Sequence, residues 1–199
     1  MKPDINKITN NRLHVISPIT GELDLNRKIT ENFTALEWYN STKILPEQRE
    51  NIVNNGIPLH PNIIEIAQLV RDFTGKAVFI GSSYRSYEWD KKQGRSGNSQ
   101  HCLGLAVDLN GEDVYELLHV AVMTQNELYQ QLKALGANFF GFYSWGVHID
   151  LGHRVGQPVN MPMVRYYGTK KKSSGVSTAL IIIVLFMYRK TILKLFKRK

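Results

Sequence analysis

A single cysteine, Cys102, occurs in 199 residues. That excludes an internal disulfide framework and any zinc finger built on cysteines. Acidic residues are absent from the end of the chain, where none follows Asp150. Eleven of the 25 Lys/Arg lie beyond that point, leaving 14 against 17 Asp/Glu before it, a balance of −3. The net charge of +8 therefore belongs to a basic tail, and the slightly acidic body gives no reason to expect a nucleic-acid partner. The opening MKPDINKITNNRLHV contains no apolar run of seven or more residues, so no secretory signal peptide is expected there. No internal repeat is visible. What the chain does have is 43% apolar and 21% charged residues, enough for a core and against wholesale disorder.

Residues 1–26 are polar and turn-rich and read as an extended lead-in. A short helical segment is expected over 32–38. The clearest element is HPNIIEIAQLVRDFTG, where Ile63, Ile66, Leu69, Val70 and Phe73 recur on one face. Pro61 suits its first turn and Gly75 its end. Residues 77–80 read as a buried strand, 81–100 as a long loop, and 106–109 as a second strand. A helical stretch follows over 113–135, with Thr124 a candidate N-cap for its second half. Residues 139–143 and 146–151 read as a hairpin. The expected fold is α+β, a small antiparallel sheet with flanking helices holding a metal site, over residues 27–155. Residues 156–175 read as a linker.

The tail, 176–199, opens with 13 uncharged residues, Val176 to Tyr188, and closes on the basic RKTILKLFKRK. A helix of that length measures roughly 20 Å against a hydrocarbon core of ~30 Å. A span lengthened by snorkelling flanks, an interfacial helix, and a helix docked on the domain are the three readings. Uniform hydrophobicity flanked by Lys/Arg favours a membrane-interacting helix, with the protein membrane-associated through its C-terminus.

His101 and Asp108 lie in SQHCLGLAVDLNG, and His148 in WGVHID. Each sits among small or apolar residues. Asp108, inside Ala-Val-Asp-Leu, needs a partner if buried. A zinc ion held by two imidazoles and a carboxylate is such a partner, with one position left open as in a catalytic site. Read alone, the set is also what a hydrogen-bonded core contains.

The context adds to this. SSYRS at 82–86, SQHCLGLAVD at 99–108 and VHID at 147–150 follow one another in order. Together they resemble peptidase M15, the family of zinc D-Ala-D-Ala carboxypeptidases and cell-wall endopeptidases. The resemblance covers about residues 30–152. It implies that His101, Asp108 and His148 bind Zn²⁺ and that Arg85 contacts substrate near the scissile bond. It also implies substrate-side roles for Ser99 and Tyr84, and small residues at Gly104 and Ala106 where the backbone nears the metal. Cys102 reads as a packed thiol. His14, His60, His119 and His153 have no motif context and read as structural or surface residues.

One departure stands out. Many members carry a Glu or His shortly before the last zinc histidine as general base. Here residues 142–147, FYSWGV, hold neither. Asp150 is the nearest acid, on the same strand face as His148, and is a candidate either for catalysis or for orienting a ligand. Tyr143 is a candidate donor. The implied function is a zinc-dependent peptidase acting on peptidoglycan peptides, and a phage lysis enzyme fits the size and tail. The missing base leaves a second reading, a non-catalytic zinc-containing module that binds peptidoglycan.

Overall fold

The computed structural model describes residues 9–155, 157–158 and 161–168. In chain order the elements are β1 (Arg12–Leu13), α1 (Ala35–Ser41), α2 (Arg49–Asn55), β2 (Ile57–Pro58), α3 (Pro61–Thr74), β3 (Val78–Ser82), α4 (Tyr87–Lys92), β4 (Ala106–Gly111), α5 (Val114–Thr124), α6 (Glu127–Ala134), β5 (Phe139–Tyr143), β6 (Gly146–Asp150) and β7 (Met163–Tyr166). The fold is α+β. β1 and β2 form a small antiparallel pair, and the main sheet runs β3-β4-β6-β5-β7.

Alternation divides the main sheet into two faces. Val107, Leu109, Phe140, Phe142, Val147 and Ile149 point one way and are wholly buried. They pack with Ile63, Ile66, Ala67 and Val70 of α3, Leu118 and Ala121 of α5, and Leu128 and Leu132 of α6. Burial of each such aliphatic or aromatic side chain contributes about 1.5–3 kcal/mol. The opposite face carries Asp108, Phe139, His148 and Asp150, all of which line an open cleft.

α3 begins as expected, with Pro61 in its first turn, and stops at Gly75 in the left-handed conformation (φ 60°). Other expectations need correction. The main sheet is mixed, because β7 runs parallel to β5. That strand falls within the stretch expected to be a linker. The expected lead-in contributes β1, and Val15 just after it is wholly buried. The long loop 81–100 contains α4, capped by Ser86 Oγ accepting from Trp89 N. The cap of α6 is Asn126, whose side chain accepts from Tyr129 N at 3.2 Å; Thr124 instead ends α5, with its hydroxyl on the Val120 carbonyl. The apolar and basic run 176–199 lies outside the described residues. Among the described residues no helix is long and apolar enough to cross a membrane.

Candidate metal centre and cleft

β4 and β6 are paired so that Asp108 lies opposite His148. Their side chains therefore rise from the same face, side by side. His101 arrives from a 3-10 turn, Gln100–Leu103. That turn closes on Gly104 in the left-handed region (φ 72°), where a Cβ would lie 2.5 Å from the Pro58 carbonyl oxygen. The neighbouring backbone of Pro58, rather than the metal, explains the glycine.

The ligand atoms of His101, Asp108 and His148 lie within 4.8 Å of one another. His101 Nδ1 is 2.5 Å from the Ser83 carbonyl oxygen. A carbonyl only accepts, so Nδ1 carries the proton and Nε2 presents a lone pair. His148 Nε2 is 2.8 Å from Asp150 Oδ2, which leaves the Nδ1 of the neutral ring as a lone pair too. Those two nitrogens are 3.1 Å apart, and Asp108 Oδ1 is 3.0 Å from the first and 2.8 Å from the second. With both rings neutral, three acceptors thus converge with no donor between them. A cation resolves the conflict, and two imidazole nitrogens with one carboxylate oxygen are a zinc donor set.

The electrostatics agree with this arrangement. Burial lowers the His101 pKa and keeps the ring neutral. For His148 burial acts in the same direction, but hydrogen bonds to Asp108 and Asp150 outweigh it and push its pKa up to about 9. In the metal-free protein a proton on His148 thus fills the role of the cation. Burial would raise Asp108, yet His101 and His148 hold its carboxyl well below the usual range. Asp150 is wholly buried. Its pKa is lowered despite burial, through hydrogen bonds from Arg154 and His148. Its carboxylate also accepts from Gly152 N at 2.8 Å. It therefore sits behind His148, on the nitrogen turned away from the three acceptors.

Arg85 lies beside the centre. Its Nη2 donates to Asp108 Oδ2 at 2.6 Å and its Nε to Ser82 Oγ at 2.9 Å. Asp90 is engaged elsewhere, with the Gly97 N–H at 3.2 Å, which pins the loop forming one wall. The cleft encloses about 630 Å³. Ser99 lines it, whereas Tyr84 packs against the core, where burial pushes its pKa up to about 12. Cys102 is buried against Ser99, outside the metal group.

The cleft also holds residues without a motif in the sequence. His153 lines it and is exposed. Arg154 grips Asp150, and a spacing of four residues was its only signal. Tyr143 stacks between Trp145 (4.9 Å between centroids) and Tyr167 (4.5 Å). Arg165 and Met163 come from β7.

A model of the peptidase M15 family matches residues 35–150, more than half of the chain and a stretch that includes all three converging acceptors. No curated protein and no solved structure matches the chain. With the donor set and the family match in agreement, the chain belongs to peptidase M15, a family of zinc metallopeptidases.

Proposed function

We propose that the protein is a zinc-dependent peptidase that cleaves peptide bonds of bacterial peptidoglycan. The observation that carries this reading is the convergence of His101 Nε2, Asp108 and His148 Nδ1 on the floor of an open cleft, with Arg85 beside them. His101, Asp108 and His148 hold the zinc. When bound, zinc supplies a Lewis acid and brings the pKa of a water toward ~7. Asp150 accepts the His148 Nε2 proton and so fixes which nitrogen faces the metal. Arg85, fixed by Ser82 and Asp108, receives the substrate carbonyl or carboxylate oxygen. Tyr143, its pKa pushed up to about 12 mainly by burial, stays protonated and donates. We assign proton transfer to His153, the cleft imidazole outside the metal group.

Mass analysis of muropeptides after digestion by the wild type and by His101→Ala tests the reading and identifies the scissile bond. Hydrolysis by the wild type and none by the variant is the expected result. Zinc binding and peptidoglycan binding without any hydrolysis would establish the second reading, a non-catalytic module, which the lack of Glu or His in 142–147 favours.

The tail belongs to the same proposal. Val176–Tyr188 and the nine Lys/Arg from Lys170 to Lys199 suit insertion into an anionic membrane, and a phage lysis enzyme, which reaches the wall after membrane damage, fits a domain tied to such a tail. Flotation with anionic liposomes should recover the full chain, while a chain ending at Thr169 stays unbound. Equal recovery of both in the unbound fraction would refute the anchor.

A further inference from the structure

We propose that Arg165 binds a free carboxylate of the substrate, about three residues of extended peptide from the metal centre, and makes the enzyme prefer acidic over amidated peptides. The inference rests on the reading of the chain as a wall peptidase and adds a substrate class to it.

The register supplies the geometry. Asp108 is opposite His148, His148 is opposite Gly141, and Gly141 is opposite Arg165. Aligned partners in a pleated sheet rise from the same face. Arg165 therefore stands in the same cross-strand row as two metal-binding residues. Two strand spacings separate its backbone from that of His148, about 10 Å, or roughly three residues at ~3.3 Å each. Between them Gly141 adds no side chain. A Cβ there would lie 3.0 Å from the Tyr143 ring and 3.1 Å from the Phe139 ring. The missing Cβ thus lets the Tyr143 and Phe139 rings close over Gly141, so the floor between the metal centre and β7 is aromatic, and a peptide running from one to the other crosses these rings.

The charges supply the specificity. Arg85, Arg95, Arg154 and Arg165 line the cleft against Asp108 and Asp150. Arg85, held by Asp108, is assigned to the oxygen at the scissile bond beside the metal centre, Arg154 is committed to Asp150, and Arg95 leans on Asp90 at 3.5 Å. Arg165 is exposed, and no carboxylate among the described residues pairs with it. A free guanidinium in a net positive cleft attracts anions and pairs with a carboxylate through two parallel hydrogen bonds, which a carboxamide cannot match. β7 lies beyond residues 35–150, so this preference is set outside the stretch that matches the family.

The test uses the zinc-loaded full chain and soluble muropeptides in two forms, with the glutamyl carboxylate free or converted to carboxamide. Steady-state hydrolysis is measured for the wild type, Arg165→Gln and Arg165→Lys. The wild type should favour the acidic form. Arg165→Gln should raise KM for that form roughly 10–100-fold with little change in kcat, and leave the amidated form unaffected. Arg165→Lys should restore part of the loss. The basic tail is identical in all three proteins, so its attraction for anions cancels. An equal effect on both peptides, or none on either, would overturn the assignment. If the wild type cleaves neither peptide, the peptidase reading fails instead. Equilibrium binding of the same pair, followed by tryptophan fluorescence, then decides the carboxylate contact: preference lost in Arg165→Gln upholds it, and preference unchanged overturns it.

Discussion

Asp150→Asn removes a negative charge from a side chain that no solvent reaches. The carboxylate serves His148 Nε2, the Gly152 N–H and the Arg154 guanidinium together. A carboxamide has one acceptor oxygen and an NH₂ group that must face one of these donors, so at least one contact is lost. Loss of such an outer partner typically lowers metal affinity 10–100-fold, which is about 1.4–2.7 kcal/mol. With zinc in excess, its stabilisation of the folded state follows the logarithm of concentration over Kd and shrinks by the same amount. For a domain of this size, the gap in Tm between zinc-loaded and metal-free protein should narrow by about 3–11 °C. The metal-free variant should itself melt lower, because Arg154 loses its buried counter-charge. Arg154 is 28% exposed and can turn toward water, which places that loss below the ~3–5 kcal/mol of a fully buried broken pair. The assay is competition for zinc against a chromogenic chelator on folded protein, paired with melting curves with and without zinc. Wild-type zinc affinity in a folded Asp150→Asn protein would refute the orienting role.

Zinc affinity should rise tenfold per pH unit from about pH 6.5 to 9 and then level off, because the proton held on His148 must leave. The metal-free domain loses the His148 contribution as pH rises through the same window, since its folded pKa is raised, so the melting gap between the two forms should widen. A flat gap across those pH values would contradict the competing proton. Arg85→Ala should lower hydrolysis of wall peptides ~10²–10³-fold with zinc still bound, checked by metal analysis of the same sample. Gly104→Ala should destabilise by more than ~2 kcal/mol, since the backbone is left-handed and a Cβ would meet the Pro58 carbonyl, measured by denaturant unfolding.

The residues that converge at the candidate metal centre were legible because each lies in a short local pattern. His101 and Asp108 share one motif, and VHID places His148 and Asp150 on one strand face. α3 was legible because its apolar period runs to an unambiguous stop at Gly75. β7 was not, because it is four residues long and pairs in parallel with a strand more than 20 positions earlier, and parallel pairing leaves no local turn signal. α4 was hidden by its polar sequence, YEWDKK, in which Asp90 is the buried residue and its burial comes from holding a loop. Arg165 follows the same logic. Its meaning lies in a register of four strands, which no single segment contains.

The position of Cys102 gives this molecule an internal clock. The thiol is 1% exposed and adjoins His101 in the same 3-10 turn, and it is the sole cysteine of the chain. A thiol reagent can reach it only when that turn opens, and burial pushes its pKa up, so the closed state is protected chemically as well as sterically. The labelling rate of the unmodified protein therefore reports how often the loop carrying His101 lets go of the sheet. If His101, Asp108 and His148 hold a metal as proposed, its addition should slow that labelling, because each opening of the turn would then cost a metal ligand, and the reaction of a single native sulfur would report on the candidate centre without any mutation.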